Sequence, residues 1–243
     1  MPTERHAVAG SGLRCVNLTA HYGSLQVCHG IDIEVEGGEI FALLGPNGAG
    51  KTSFVGAVSG TVAGGGEIWL GDSRLSGLPA YKRARLGLST IPDNRGLFPS
   101  LSVTENMRLG ARLTRPDDRA AAIEEALALF PALHGRGDTL AGALSGGQQQ
   151  MLAVAKSLAG RPRALILDEP TQGLAPRIVE ELGHILSRLR ELRLPMLLVE
   201  QNLGLVEAVA DRFMIITGGA AVLSGTRADL GDRERIARTF LAV

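Results

Sequence analysis

Gly45-Pro-Asn-Gly-Ala-Gly-Lys-Thr52 matches G-x-x-x-x-G-K-[ST] without a departure. Its flanks constrain the fold more than any other stretch. Glu39–Leu44 reads Glu-Ile-Phe-Ala-Leu-Leu, a run apolar enough to be a strand buried on both faces. Lys51–Ser59 then reads as a helix. A buried strand, a glycine loop and a helix in succession belong to an α/β domain with a largely parallel sheet. The loop also has a chemical logic. Glycines let successive backbone N–H groups turn inward on a polyphosphate, and the following helix adds the positive end of its dipole. Gly45, Pro46, Asn47, Gly48, Ala49, Gly50 and Ser53 are therefore candidate phosphate-binding residues. Lys51 is placed to reach the β- and γ-phosphates, and Thr52 to offer its hydroxyl to Mg²⁺.

The rest of the chain supplies the partners such a loop needs. Leu13–Ala20 and Ile31–Val35 alternate apolar and polar residues and read as half-buried strands. Glu67–Leu70 is a strand after Gly64-Gly65-Gly66, and Leu86–Pro92 a strand running into a loop. From about Leu101 the pattern turns helical. Pro116 and Asp117 suit a first helical turn, followed by an apolar face of Ile123, Leu127 and Phe130 that Pro131 ends. A helix is expected over Gln149–Leu158, and another from Pro176 with Ile178, Leu182, Ile185, Leu189 and Leu192 buried. Ala164–Leu167 and Met196–Val199 read as buried strands. Phe213–Thr217 and Ala221–Ser224 form a hairpin about Gly218-Gly219. Arg227–Leu241 is read as a terminal helix. Together these give a phosphate-loop NTPase core with a mostly parallel sheet, an N-terminal antiparallel β subdomain and an inserted α-helical subdomain at about residues 95–160. The domain spans residues 13–243 after a tail of residues 1–12.

Two more stretches carry chemistry. Asp168 and Glu169 stand where a buried strand emerges. Asp168 is placed to hold Mg²⁺ and Glu169 to act as general base on the attacking water. Leu144-Ser145-Gly146-Gly147-Gln148 precedes a helix and makes a second anion-binding helix start, with Ser145 alternatively a plain N-cap.

The 25 basic and 25 acidic residues balance, which gives no support to a nucleic-acid partner. Cys15 and Cys28 have no metal-binding spacing and read as small buried side chains in a reducing compartment. Residues 1–12 lack a signal peptide's apolar segment. No run approaches the ~18 apolar residues of a membrane span, so membrane association is expected to come through a partner.

Gly45–Thr52, Leu144–Gln148 and Leu165–Pro170, in that order, resemble the ATP-binding cassette family over nearly the whole chain. The resemblance implies ATP and Mg²⁺ as ligands and two cassettes packed head to tail. Each ATP would lie between one cassette's phosphate loop and Ser145, Gly146, Gly147 and Gln148 of the other. It places Tyr22 on the adenine. The family's usual loop glutamine falls at Asp93 or Asn94, where a carboxylate can ligate Mg²⁺ but cannot donate as an amide does. Its switch histidine aligns with Gln201, which can donate to the γ-phosphate but carries no titrating proton. Ala175 stands where many members have Asp.

Leu97–Asn106, Gly173–Pro176 and Val199-Glu-Gln-Asn202 resemble the smaller ATP-binding subunits of branched-chain amino acid importers. That implies permease subunits docked near Asp93–Asn106, a like or unlike second cassette, an indirect solute-binding partner, and a peripheral place on the cytoplasmic face of the inner membrane. The competing reading is a non-transport cassette ATPase acting on DNA or ribosomes. It lacks support, because the chain has one cassette and no heptad tract. A small-molecule kinase would have no Leu-Ser-Gly-Gly-Gln.

Overall fold

The computed structural model describes residues 12–232 and Ile236. The chain enters through β1 (Leu13–Tyr22), β2 (Leu25–Val35) and β3 (Ile40–Leu44), then α1 (Lys51–Ser59), β4 (Glu67–Leu70) and β5 (Ser73–Arg74). α2 (Ala80–Arg85), β6 (Leu88–Ile91) and α3 (Val103–Gly110) follow, then α4 (Arg119–Leu127) and α5 (Gly146–Leu158). The remainder is β7 (Ala164–Asp168), α6 (Pro176–Glu191), β8 (Met196–Glu200), α7 (Leu203–Val209), β9 (Arg212–Thr217) and β10 (Ala220–Thr226). No helix of the described residues is long and apolar enough to cross a membrane.

The strands form two sheets. An antiparallel one has the order β2-β1-β4-β5, and a six-stranded one the order β10-β9-β3-β8-β7-β6. In the second, β9, β3, β8, β7 and β6 are parallel and only β10 runs against its neighbour. The apolar runs at β3, β7 and β8 follow from this, because both sheet faces are covered. Ile40, Ala42 and Leu44 pack into one core cluster with Leu165, Leu167 and Leu198. The intervening Phe41 and Leu43 pack into another, with Phe54 of α1 and Leu18 of β1. A phosphate-loop core with a mostly parallel sheet, an antiparallel sheet and a helical stretch between β6 and β7 thus matches the expectation.

Several local readings change. The buried face of α4 is Ala122 and Ala126, with Ile123 and Leu127 half-covered, and Phe130 is buried but lies beyond the helix. Small alanines let α4 lie close on the core, which a reading weighted to large side chains misses. Leu192 falls just past the end of α6 and is 69% exposed. α5 begins three residues before Gln149, because Ser145 caps it. Of the expected terminal helix, Arg227–Gly231 is a 3₁₀ turn and Ile236 is helical. Its other residues, and residues 1–11 of the tail, lie outside the described residues. Both cysteines are buried and free. Burial pushes the Cys15 thiol up to about 12 and the Cys28 thiol to about 11, which leaves both unreactive.

Candidate nucleotide site

Parallel pairing sets the carboxyl ends of β3, β8 and β7 side by side. Leu44 is in register with Glu200, and Asp168 with Val199. Ligands bind outside such strand ends. Here the ends carry the glycine loop, Asp168-Glu169 and Glu200-Gln201.

Two of the loop's glycines leave no room for a Cβ. Gly50, at φ 101°, caps α1 without a side chain, and a Cβ there would stand 2.9 Å from the Val27 carbonyl oxygen. A Cβ on Gly45 would meet the Ile216 carbonyl oxygen at 2.3 Å. The first-turn N–H groups of α1, on Lys51, Thr52 and Ser53, have no intrahelical partner by helix geometry. They stay available to an anion.

Lys51 is 4% exposed. Its ammonium donates to the carbonyls of Gly45 at 2.8 Å and Pro46 at 3.1 Å, and pairs with Glu169 Oε1 at 3.2 Å. An ammonium this deep needs such partners to offset lost hydration. Gln201 Nε2 donates to Glu169 Oε1 and to Asn47 Oδ1, both at 2.8 Å. Glu169 has φ 47° and its N–H donates to the Val199 carbonyl, so strand β8 fixes the backbone that aims its side chain. Four residues read separately from the sequence, Asn47, Lys51, Glu169 and Gln201, are thus one connected group.

Asp168 is 2% exposed and its Oδ1 has no hydrogen-bond partner. Its carboxyl is pushed up to about 6. Burial is the chief cause, a hydrogen bond from Thr52 and the charge of Lys51 act against it, and the charges of Asp93 and Glu169 add to it. An acceptor buried without a donor is what a cation would satisfy. Mg²⁺ takes one or two protein ligands and completes its shell with phosphate and water, so Asp168 with Thr52 fits that need.

The folded value of Asp168 lies above the ordinary ~3.9, so folding favours the protonated form, and the ligand-free chain loses up to about 3 kcal/mol as pH rises from about 4 to about 6. Asp168→Asn is expected to match or exceed the wild type in urea unfolding at about pH 8 without nucleotide, and to lose that advantage at about pH 4. A variant clearly less stable at the higher pH would contradict this account of the carboxylate.

Tyr22, 53% exposed, lines a cleft of about 340 Å³ together with Thr52, Asp93 and Asp168. Asp93 therefore faces this cleft. The Asn94 side chain instead accepts the Gly96 N–H at 3.0 Å. Ser145, Gly146, Gly147 and Gln148 are not among the residues lining the cleft. Ser145 Oγ accepts the Gln148 N–H at 3.3 Å and Gln148 Oε1 accepts the Ser145 N–H at 3.1 Å, a reciprocal capping box. Arg95 ties the loop after β6 to this helix by donating to Gln149 Oε1 at 2.5 Å. Lys156 of the same helix donates to the Gly96 carbonyl at 2.6 Å and lies over the Phe98 ring. Neither tie was read from the sequence.

Residues 28–172 match the ABC_tran model, described as ABC transporter. The chain belongs to the ABC transporter family. It is 36% identical over 225 residues to the high-affinity branched-chain amino acid transport ATP-binding protein BraG of Pseudomonas aeruginosa, covering 92% of this chain and 97% of that one. It is 34% identical over 235 residues to the lipopolysaccharide export system ATP-binding protein LptB of Escherichia coli K12, covering 94% and 96%. Its fold is similar to the ADP conformation of MJ1267, an ATP-binding cassette of an ABC transporter. That likeness has a TM-score of 0.80 at 20% identity, over 93% of this chain and 96% of that one. As an ABC ATP-binding subunit, the chain hydrolyses ATP to power transport. ABC cassettes bind ATP, generally with Mg²⁺, and work with a second cassette and transmembrane permease subunits.

Proposed function

We propose that this cassette drives import of branched-chain amino acids, or of a related small solute, from the cytoplasmic face of the inner membrane. In this reading a solute-binding protein delivers cargo to the permease. The similarity to BraG and the Leu97–Asn106, Gly173–Pro176 and Val199–Asn202 stretches support this reading. The similarity to LptB means the cargo must be tested directly. Membrane vesicles carrying the chain with its permease are expected to accumulate labelled leucine or valine on ATP. Movement of an unrelated cargo, and of no amino acid or similar small solute, would reject the assignment.

The mechanism rests on one observation, the Lys51–Glu169–Gln201–Asn47 group beside buried Asp168. ATP enters with adenine on Tyr22 and its phosphates in the Gly45–Ser53 loop, against the N–H groups that begin α1. Lys51 exchanges Glu169 and the loop carbonyls for phosphate oxygens, and Thr52, Asp168 and Asp93, which line one cleft, are the residues that would hold Mg²⁺. Bound Mg²⁺ supplies charge neutralisation on the phosphates. Glu169, no longer paired with Lys51, accepts the proton of the attacking water as its oxygen bonds to the γ-phosphorus and ADP departs. Gln201 keeps Glu169 aimed. Ser145, Gly146 and Gly147, with Gln148 holding the cap, clasp the γ-phosphate of the partner cassette's ATP.

Gln201→Ala removes both bonds that hold Glu169 toward Asn47. Steady-state kinetics are expected to show kcat lower by about tenfold to hundredfold with ATP affinity within about twofold. An unchanged kcat would deny Gln201 that part.

A further inference from the structure

We infer that Glu200 is a positioning residue for ATP hydrolysis, joining the loop after Glu169 to the segment that carries Gln201. Glu200 ends β8 and is 2% exposed. Its Oε1 accepts the Thr171 N–H at 2.9 Å. Its Oε2 accepts the Gln201 N–H at 2.9 Å and the Asn202 N–H at 3.1 Å. One carboxylate thus holds three backbone donors on two loops from different strands. Both loops flank Glu169, two residues before Thr171 and hydrogen-bonded to Gln201.

The chemistry requires a carboxylate at this position. Three donors converge on two oxygens, and a carboxylate is the side chain that only accepts. An amide of the same shape would turn an N–H₂ toward N–H donors on one side. A buried donor set left unpaired forces the loop holding it to shift. The shift acts first on geometry at Glu169 and Gln201, while the backbone of the phosphate loop is carried separately by β3 and α1. Asn202 gains from the same arrangement. Its side chain accepts the Leu205 N–H at 3.2 Å and caps α7, so the turn beyond Gln201 is fixed at both ends.

The inference rests on the proposed role of Glu169 as base, and the test separates the two. ATP turnover and nucleotide affinity are measured on the full chain assembled with its partners, for Glu200→Gln, Glu200→Asp and Glu169→Gln in parallel. Glu200→Gln is expected to lower kcat at least about thirtyfold with KM for ATP within about twofold. Glu200→Asp keeps an acceptor for Gln201 and Asn202 but falls short of Thr171, and is expected to recover part of that rate. A Glu200→Gln kcat within about threefold of wild type, while Glu169→Gln is inactive, overturns the inference alone. Equal loss of kcat and affinity in both Glu200 variants, with lowered melting temperature, assigns Glu200 a purely structural part and overturns it too. Normal turnover in Glu169→Gln overturns the base reading instead.

Discussion

Glu169→Gln is expected to stop turnover while ATP still binds. Gln has the shape of Glu and its Oε1 can still accept from Gln201 Nε2, which now stands at 2.8 Å from the Glu169 oxygen. The side chain therefore stays where it is aimed. An amide cannot take a proton from water, and loss of a general base costs about 10²–10⁴ in rate. Lys51 also loses its ion-pair partner at 3.2 Å. That pair competes with the γ-phosphate for the ammonium, so nucleotide affinity is expected to hold or rise. Phosphate release and equilibrium binding, measured on the same preparation, give the two numbers. Turnover within about tenfold of wild type would remove Glu169 from the role of base.

Lys51→Ala should act one step earlier, on binding. Lys51 is the cation of the cradle, and its ammonium already reaches the carbonyls of Gly45 and Pro46 inside the loop that receives the phosphates. Losing charge-assisted bonds worth about 1.5–3 kcal/mol each costs at least about a hundredfold in affinity. A fluorescent nucleotide titration reads this directly, and an affinity within about twofold of wild type would contradict the placement. The two variants thus separate binding from chemistry within a single connected group of side chains.

That group was only half legible in the sequence. The glycine loop and the Asp168-Glu169 pair can be read because each needs local residue types at fixed spacing after an apolar strand. The join between them cannot, since Gln201 and Asn47 lie 154 residues apart and meet only through parallel pairing of β3 with β8. Asp93 and Asn94 are equivalent in sequence, and each accepts a nearby backbone N–H in the structure, where Asp93 also lines the cleft. Glu200 escaped because its three partners are backbone N–H groups, which leave no side-chain signature. The available hint was a charged residue ending an otherwise apolar strand. α2 was missed for a related reason. Its buried residue is Arg83, which donates to the Ala57 and Val58 carbonyls at the end of α1, so its pattern carries no apolar stripe. Sequence patterns report burial of apolar side chains, and these elements are positioned by polar contacts.

The proposed nucleotide site is divided, with the phosphates held by Gly45–Thr52 of one cassette and by Ser145–Gln148 of another. Gly146 gives the cleanest probe, because a Cβ there meets nothing closer than an Arg95 nitrogen at 3.5 Å and the cap by Ser145 is untouched. Gly146→Asp sets a carboxylate where the partner's γ-phosphate should lie. Sedimentation of the Glu169→Gln chain with its partner cassette is expected to show a paired species that forms on adding ATP. The same measurement on Glu169→Gln with Gly146→Asp in both cassettes should show no pairing, with nucleotide still bound at each loop. Undiminished ATP-driven pairing in the double variant would contradict the divided site.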